Sequence, residues 1–260
     1  MKAVLFLMAC LYPLLGFATT PKIVATKLSD EAYVLKDDNY GTNIGVFKTS
    51  KGVVLIDPMP GKDNLEALRE AIKAIYDYPQ VYLLNTHQHD DHSGGNDYFV
   101  HVGAKLLNST MDLTEIKTVE VKSHSSADKV FFHSKSNTIF VGDIYDTHWH
   151  PTFYAGGVAG FTNAVDSVLA LGDEHSLIVP RHGKPTGKTE LKKFRRNTLD
   201  WVSEVKTLKE SGLQLNEIQH NEQIKKIFQR FNVENRAVFV PEKAFIRFIE
   251  RTLTMIESGV

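Results

Sequence analysis

Residues 81–95 read Val-Tyr-Leu-Leu-Asn-Thr-His-Gln-His-Asp-Asp-His-Ser-Gly-Gly, and the reading of the whole chain turns on them. The apolar run Val81–Leu84 has the length and composition of a buried strand, and it empties directly into polar residues. His87 and His89 are two apart, so on an extended segment their imidazoles project to one side and can meet one ion. Asp91 and His92 fall where the chain must turn before Ser93-Gly94-Gly95, which aims them at a second ion on the other side of the turn. A solvated polar turn is the competing reading, and the density of His and Asp at these spacings weighs against it.

Outward from this turn the pattern is mixed. Between Lys22 and Pro58 apolar and polar residues alternate, with strands expected at Ile23-Val24-Ala25, Ala32–Leu35, Ile44–Phe47 and Val53–Ile56, and turn residues between them at Ser29-Asp30, Asp37–Gly41 and Ser50–Gly52. Leu65, Leu68, Ile72 and Ile75 mark one face of a helix. Further strands are expected at residues 105–107, 118–122, 129–133, 138–142 and 177–180, and helices at residues 163–171 and 190–208. Phe245, Phe248, Ile249, Leu253 and Ile256 line an amphipathic closing helix. Three more ligand types stand just past strands: His124, Asp143 and His182. Each alone is weak evidence, since a loop His or a Gly-Asp turn is commonplace; together, in this order, they complete a metal site.

Composition sets limits on the partners. The chain has 260 residues, 42% hydrophobic and 23% charged, with a formal net charge of −1 and a pI near 6.8. Lys and Arg are scattered, so nothing draws the chain to nucleic acid. Lys2, the apolar run Ala3–Leu15 and Gly16-Phe17-Ala18 form the pattern of a secretory signal over residues 1–18, ahead of one domain at residues 19–260. The run is too short and too interrupted, by Pro13 and Gly16, for a stable span. No stable membrane insertion is expected after cleavage, and the protein is expected in the periplasm or outside the cell. Cys10, the single cysteine, lies in the leader, so a metal site in the mature chain has only His and carboxylates to draw on.

The order His87-x-His89-x-Asp91-His92, a lone His124, Gly142-Asp143 and Pro180-x-His182-Gly183 resembles the metallo-β-lactamase superfamily, over Lys22 to about Leu199. Ile56-Asp57 and His124-Ser-Ser-Ala-Asp128 match further positions of its pattern. The resemblance implies an α+β fold, a four-layer αββα sandwich with the site on one edge between the two sheets. It assigns His87, His89 and His124 to a first ion, Asp91, His92 and His182 to a second, and Asp143 to both. The bridging carboxylate is similar to glyoxalase II. Where the commonest β-lactamase subgroup has a Lys or Arg three residues after the bridging position, this chain has Asp146. The segment between His92 and His124 is short for the family, and the helices expected from Lys188 to Val260 show no glutathione-gripping pattern.

Two divalent ions, zinc or else iron or manganese, would lower the pKa of a shared water towards ~7 and supply hydroxide at neutral pH. Asp91 is the candidate catalytic residue, orienting the hydroxide and passing its proton to the leaving group. Asp57 and Asp128 are candidate partners for the second nitrogens of the ligating histidines. His148 and His150 read as part of a packed aromatic loop, and Tyr40 as a turn residue. The expected activity is hydrolysis of an ester-like bond (thioester, lactone or β-lactam) in a small-molecule substrate. The alternatives are an iron-dependent oxidoreductase of the persulfide dioxygenase kind and a non-catalytic periplasmic metal-binding protein.

Overall fold

The computed structural model describes residues 23–38, 40–108, 110 and 113–259. The expected leader, residues 1–18 with Cys10, lies outside them. In chain order the elements are β1 (Ile23–Ser29), β2 (Ala32–Asp37), β3 (Ile44–Thr49), β4 (Gly52–Ile56), α1 (Leu65–Ile75), β5 (Val81–Leu84), α2 (Asp90–Ser93), α3 (Asn96–His101), β6 (Lys105–Leu106), β7 (Ile116–Val121), β8 (Asp128–His133), β9 (Thr138–Phe140), α4 (Gly157–Leu169), β10 (Leu177–Val179), α5 (Lys188–Glu210), α6 (Leu215–Ile218), α7 (Glu222–Gln229) and α8 (Glu242–Ser258).

Two sheets form, with strand orders β1-β2-β3-β4-β5-β6 and β10-β9-β8-β7. The run Val53-Val54-Leu55-Ile56 is buried throughout because both faces of its sheet are covered. Val54 and Ile56 pack between the sheets with Phe47, Phe131, Phe140 and Val179. Val53 and Leu55 face the other way, onto Leu68 and Ile72 of α1 and Phe99 of α3. On the far side of the second sheet, Val130, Ile139 and Ile178 meet Phe161 of α4 and Trp201 and Phe248 of α5 and α8. Trp201 stacks on Phe248 with ring centroids 4.4 Å apart, and its indole N–H donates to Thr252 Oγ1 at 2.9 Å, so the largest core side chain keeps its polar atom satisfied. Four layers in the order α, β, β, α result, as expected. Among the described residues no helix is long and apolar enough to cross a membrane.

The element boundaries depart from expectation in several places, among them β9, which stops at Phe140 rather than at residue 142, and α6 and α7, which no element with expected bounds covers. Helix α4 starts at Gly157, six residues before the expected 163, because its first turn, Gly-Val-Ala-Gly, carries neither helix propensity nor an apolar period. Helices α2 and α3 are too short to show a period and are stabilised by tertiary packing. Strand β7 begins at Ile116, two residues before the expected start.

The sheet directions place the site. Strand β5 runs parallel to β4, and β10 parallel to β9. β7 and β9 each pair antiparallel with β8, so β7, β9 and β10 run the same way. The carboxyl ends of β4 and β5 therefore lie together, as do those of β7, β9 and β10, and Asp57, His87, His124, Asp143 and His182 all follow such ends.

The opposite edge is tied by Glu115. Its Oε1 accepts from the Ser50 amide at 2.8 Å and lies 3.4 Å from Lys135 Nζ, linking the β3–β4 turn of one sheet to the β8–β9 turn of the other. Burial opposes its ionisation, but the Ser50 hydrogen bonds and the Lys135 ammonium outweigh this and hold the carboxyl at about 2. A depressed folded pKa stabilises above the unfolded value, and that contribution is lost as pH falls through the folded one. Glu115→Gln should therefore cost about 1–2 kcal/mol at pH 7, with the difference from wild type closing between about pH 4.5 and pH 2. Urea unfolding across that range checks it; a gap that persists at pH 2 would assign the loss to packing.

Candidate metal centre

The centre is built on backbone held in place by side chains. Asp57 follows β4 with φ 55°, a left-handed conformation that Asp adopts more readily than most residues. Its fully buried carboxylate holds it there: Oδ1 accepts from Thr86 N at 2.8 Å, Oδ2 from Thr86 Oγ1 at 2.7 Å, and Oδ2 lies 2.8 Å from His92 Nδ1. Asp57 thus fixes the entry to the histidine turn and orients His92, the role expected of it. Asp128 acts differently from expectation. It accepts from the amides of Ser123 and Ser125 and from Ser125 Oγ, which shapes the loop around His124 without touching its ring. The ring's Nδ1 is held by Thr152, 2.9 Å from Oγ1 and 3.1 Å from the carbonyl oxygen.

Three imidazole nitrogens converge at this edge. His87 Nε2 lies 2.9 Å from His89 Nδ1, and His124 Nε2 lies 3.1 Å from the same atom. Burial, and then the charge of His92, push His87 down to about 3. Burial also lowers His124. Both rings are neutral at physiological pH, the form that offers a lone pair. A second group joins His87, His92 and Asp143. Asp143 spans the two: Oδ2 is 3.3 Å from His124 Nε2 and Oδ1 is 2.8 Å from His92 Nε2. His92 Nε2 and Asp143 Oδ1 are buried and face each other at 2.8 Å, with no other hydrogen-bond partner among the described residues. A buried imidazole nitrogen and carboxylate oxygen that share a single proton, beside the neutral rings of His87 and His124, form a donor set that fits a divalent ion once that proton leaves.

Electrostatics agree with that fit. Burial works against charge on both partners, but the Asp57 and Asp143 carboxylates raise His92 to about 10. His92, with Arg181 and His124, holds Asp143 well below the usual carboxylate range. An ion held here would take the place of the His92 proton and meet an anionic Asp143.

Asp91 and His182 stand outside both groups of converging atoms. Asp91 Oδ2 is ion-paired with Arg181 Nη2 and lies 3.8 Å from His92 Nε2. His182 Nδ1 is 2.7 Å from Asp146 Oδ2, which leaves Nε2 as the ring's free position. Asp146 is consequently buried and committed to His182, and does not face substrate in the way its position suggests. The segment Pro180–Gly183 is clamped from both sides. Asn43 Nδ2 donates to the carbonyls of Pro180 and Gly183 at 2.8 and 3.0 Å, and Thr147 Oγ1 donates to His182 O at 2.9 Å. Two glycines make these approaches possible at positive φ: a Cβ on Gly183 would collide with Thr147 Oγ1, and one on Gly142 with Thr86 Oγ1.

Of the loop histidines, His150 is buried and stacks on Phe248 at 4.3 Å, as a packed connection should. His148 pairs with Glu234 at 2.9 Å and lines a cavity with His182, Trp149 and Tyr40. Thr86, Thr152 and Arg181 are site residues that the sequence reading missed. Their partners are distant in the chain, and a lone Thr or Arg carries no signal.

The sandwich and the histidine-carboxylate edge define a class, and comparison with known proteins agrees: the chain belongs to the metallo-beta-lactamase superfamily, whose family model matches residues 37–173. Among curated relatives, metallo-beta-lactamase type 2 of Elizabethkingia meningoseptica is 34% identical over 98 residues, 35% of this chain and 39% of that protein. Metallo-beta-lactamase IND-1 of Chryseobacterium indologenes is 36% identical over 66 residues, 25% of this chain and 28% of that protein. The alignments thus span well under half the length of these two relatives. Among solved structures, a stereoselective inverting sec-alkylsulfatase from Pseudomonas sp. superposes with TM-score 0.64 at 13% identity, over 87% of this chain and 49% of that one. A metallo-beta-lactamase from Pontibacter korlensis superposes with TM-score 0.52 at 18% identity, over 66% and 96%. At these identities the structural matches establish the fold.

Proposed function

We propose that this protein is an exported metal-dependent hydrolase that cleaves an ester-like bond, a thioester, lactone or β-lactam, in a small molecule, using two divalent ions such as zinc. The observation that carries the reading is the convergence of His87 Nε2, His89 Nδ1 and His124 Nε2, with Asp143 reaching from His124 to His92. Export is supported by Lys2, the apolar run to Leu15 and Gly16-Phe17-Ala18. His92, Asp143, Asp91 and His182 would hold the second ion. Bound there, the ions supply Lewis acidity, activating water near neutral pH and polarising the substrate carbonyl.

The chain's own residues do the rest. Asp57, Thr86 and Thr152 fix the ring orientations, and Asp146 fixes that of His182. Asp91, partly exposed beside His92, holds and passes a proton at its carboxylate. The cavity beside His182, about 620 Å³ and walled by Tyr40, His148 and Trp149, has the size for a small-molecule substrate.

The test is a panel of neutral thioesters, neutral lactones and carboxylate-bearing β-lactams, run before and after metal removal and re-addition. Turnover of a neutral ester that a chelator abolishes and zinc restores is the expected result; binding of metal with no turnover of any member overturns it. Within the panel the β-lactams should be at least ~10-fold poorer in kcat/KM, because position 146, which resemblance to the commonest β-lactamase subgroup would fill with a carboxylate-holding cation, carries an Asp committed to His182. Faster β-lactam turnover would transfer that task to Lys36 or Arg236 on the cavity wall.

A further inference from the structure

Arg181 is a part of this centre that the superfamily ligand pattern does not account for. Its Nη1 donates to Asp143 Oδ2 at 2.7 Å and its Nη2 to Asp91 Oδ2, so one guanidinium bridges the two carboxylates assigned to the second ion. The residue is held in place by its backbone: its amide donates to Tyr145 O at 3.0 Å and its carbonyl accepts from Asn43 N at 2.8 Å. Most of the side chain is buried, and Nε has no partner of its own. A planar fork that satisfies two carboxylates at once is the geometry in which Arg pairs most strongly.

We propose that the Arg181 guanidinium and the second divalent ion compete for Asp91 and Asp143. This rests on the metal-site reading above and adds an order of events. The first ion enters at His87, His89 and His124 and shares with the guanidinium only the Oδ2 edge of Asp143. The second must displace the guanidinium from both carboxylates, because a cation between Asp91 and Asp143 would otherwise face a second positive charge at close range. The two ions are then taken up at well-separated concentrations. In the singly loaded protein Arg181 is the second cation of the centre.

The experiment is zinc titration of the chelator-stripped protein against a chromophoric competitor, with elemental analysis of the final stoichiometry. Wild type should show two steps at least ~10²-fold apart in Kd. Arg181→Met should tighten the second step by at least ~10-fold while moving the first by less than ~3-fold. Arg181→Lys, which keeps the charge on a shorter chain that cannot bridge both carboxylates, should move the second step the same way by less, and it stands in for the methionine variant if that fails to fold. Two equal steps in wild type, or a second step that neither substitution moves, would overturn the competition and leave the hydrolase reading in place. A protein that binds no zinc at all would remove both.

Discussion

His89→Ala should lose the first ion and keep its fold. His89 is exposed, so truncating it opens no cavity in the core. Its Nδ1 is nevertheless the atom from which His87 Nε2 and His124 Nε2 are 2.9 and 3.1 Å distant. Two neutral imidazoles and one edge of Asp143 remain, too few for a closed tetrahedral set. Replacing partners that only orient metal ligands typically costs 10- to 100-fold in affinity, so loss of a direct ligand should cost at least ~10² in zinc affinity, with hydrolysis falling in parallel. Competition titration reads the affinity, and urea unfolding of the stripped protein should show the variant within about 0.5 kcal/mol of wild type. Unchanged affinity would reduce the three imidazoles to a packing cluster and sink the hydrolase reading with them.

Asp91→Asn is the second large effect, and it acts on rate. The amide keeps the shape of the side chain but removes the charge that pairs with Arg181 and the site at which a proton is carried. A lost general acid or base usually costs about 10²- to 10⁴-fold, so kcat should fall by at least ~10² with the fold intact. Because Asp91 is also an assigned ligand, the comparison belongs at saturating metal, after two ions per chain have been confirmed. Occupancy should then recover before rate does. Wild-type turnover of the saturated variant would make Asp91 a ligand or Arg181 partner only, and leave the proton transfer to another group.

Both effects were foreseeable from the turn at residues 87–92, and the reason is local. On an extended segment His87 and His89 share a side through the two-residue period of the backbone, which needs no tertiary information. The apolar runs of β2, β3 and β4 likewise declare buried strands, although which residues face the inter-sheet core was settled by packing, since both faces of that sheet are covered. Asp57 was legible for the same reason, as a carboxylate just past an apolar strand.

Other features have no local cause. Helix α4 hides behind a Gly-Val-Ala-Gly turn that only packing stabilises, and α2 and α3 are shorter than one amphipathic period can reveal. Asp128 and Asp146 were visible as acids, yet their roles came out otherwise: Asp128 braces the His124 loop through backbone amides, and Asp146 is spent on His182. The tautomers of the candidate ligand rings depend on Thr86, next to His87, and on Thr152 and Asp57, which tertiary structure brings to His124 and His92 from 28 and 35 residues away. Arg181 is the extreme case. A single Arg between Pro180 and His182 has no pattern to read, and it meets Asp91 across 90 residues of chain. That meeting exists only because the parallel pairing of β9 with β10 brings Arg181 to Asp143, and the packing of the two sheets brings their carboxyl ends to one edge. The candidate ligands were thus legible in residue type and spacing, His87 and His89 from covalent geometry and the others from their order along the chain. The charge balance of the centre was settled by strand pairing and burial, which bring distant side chains within a few ångströms and strip away the water between them.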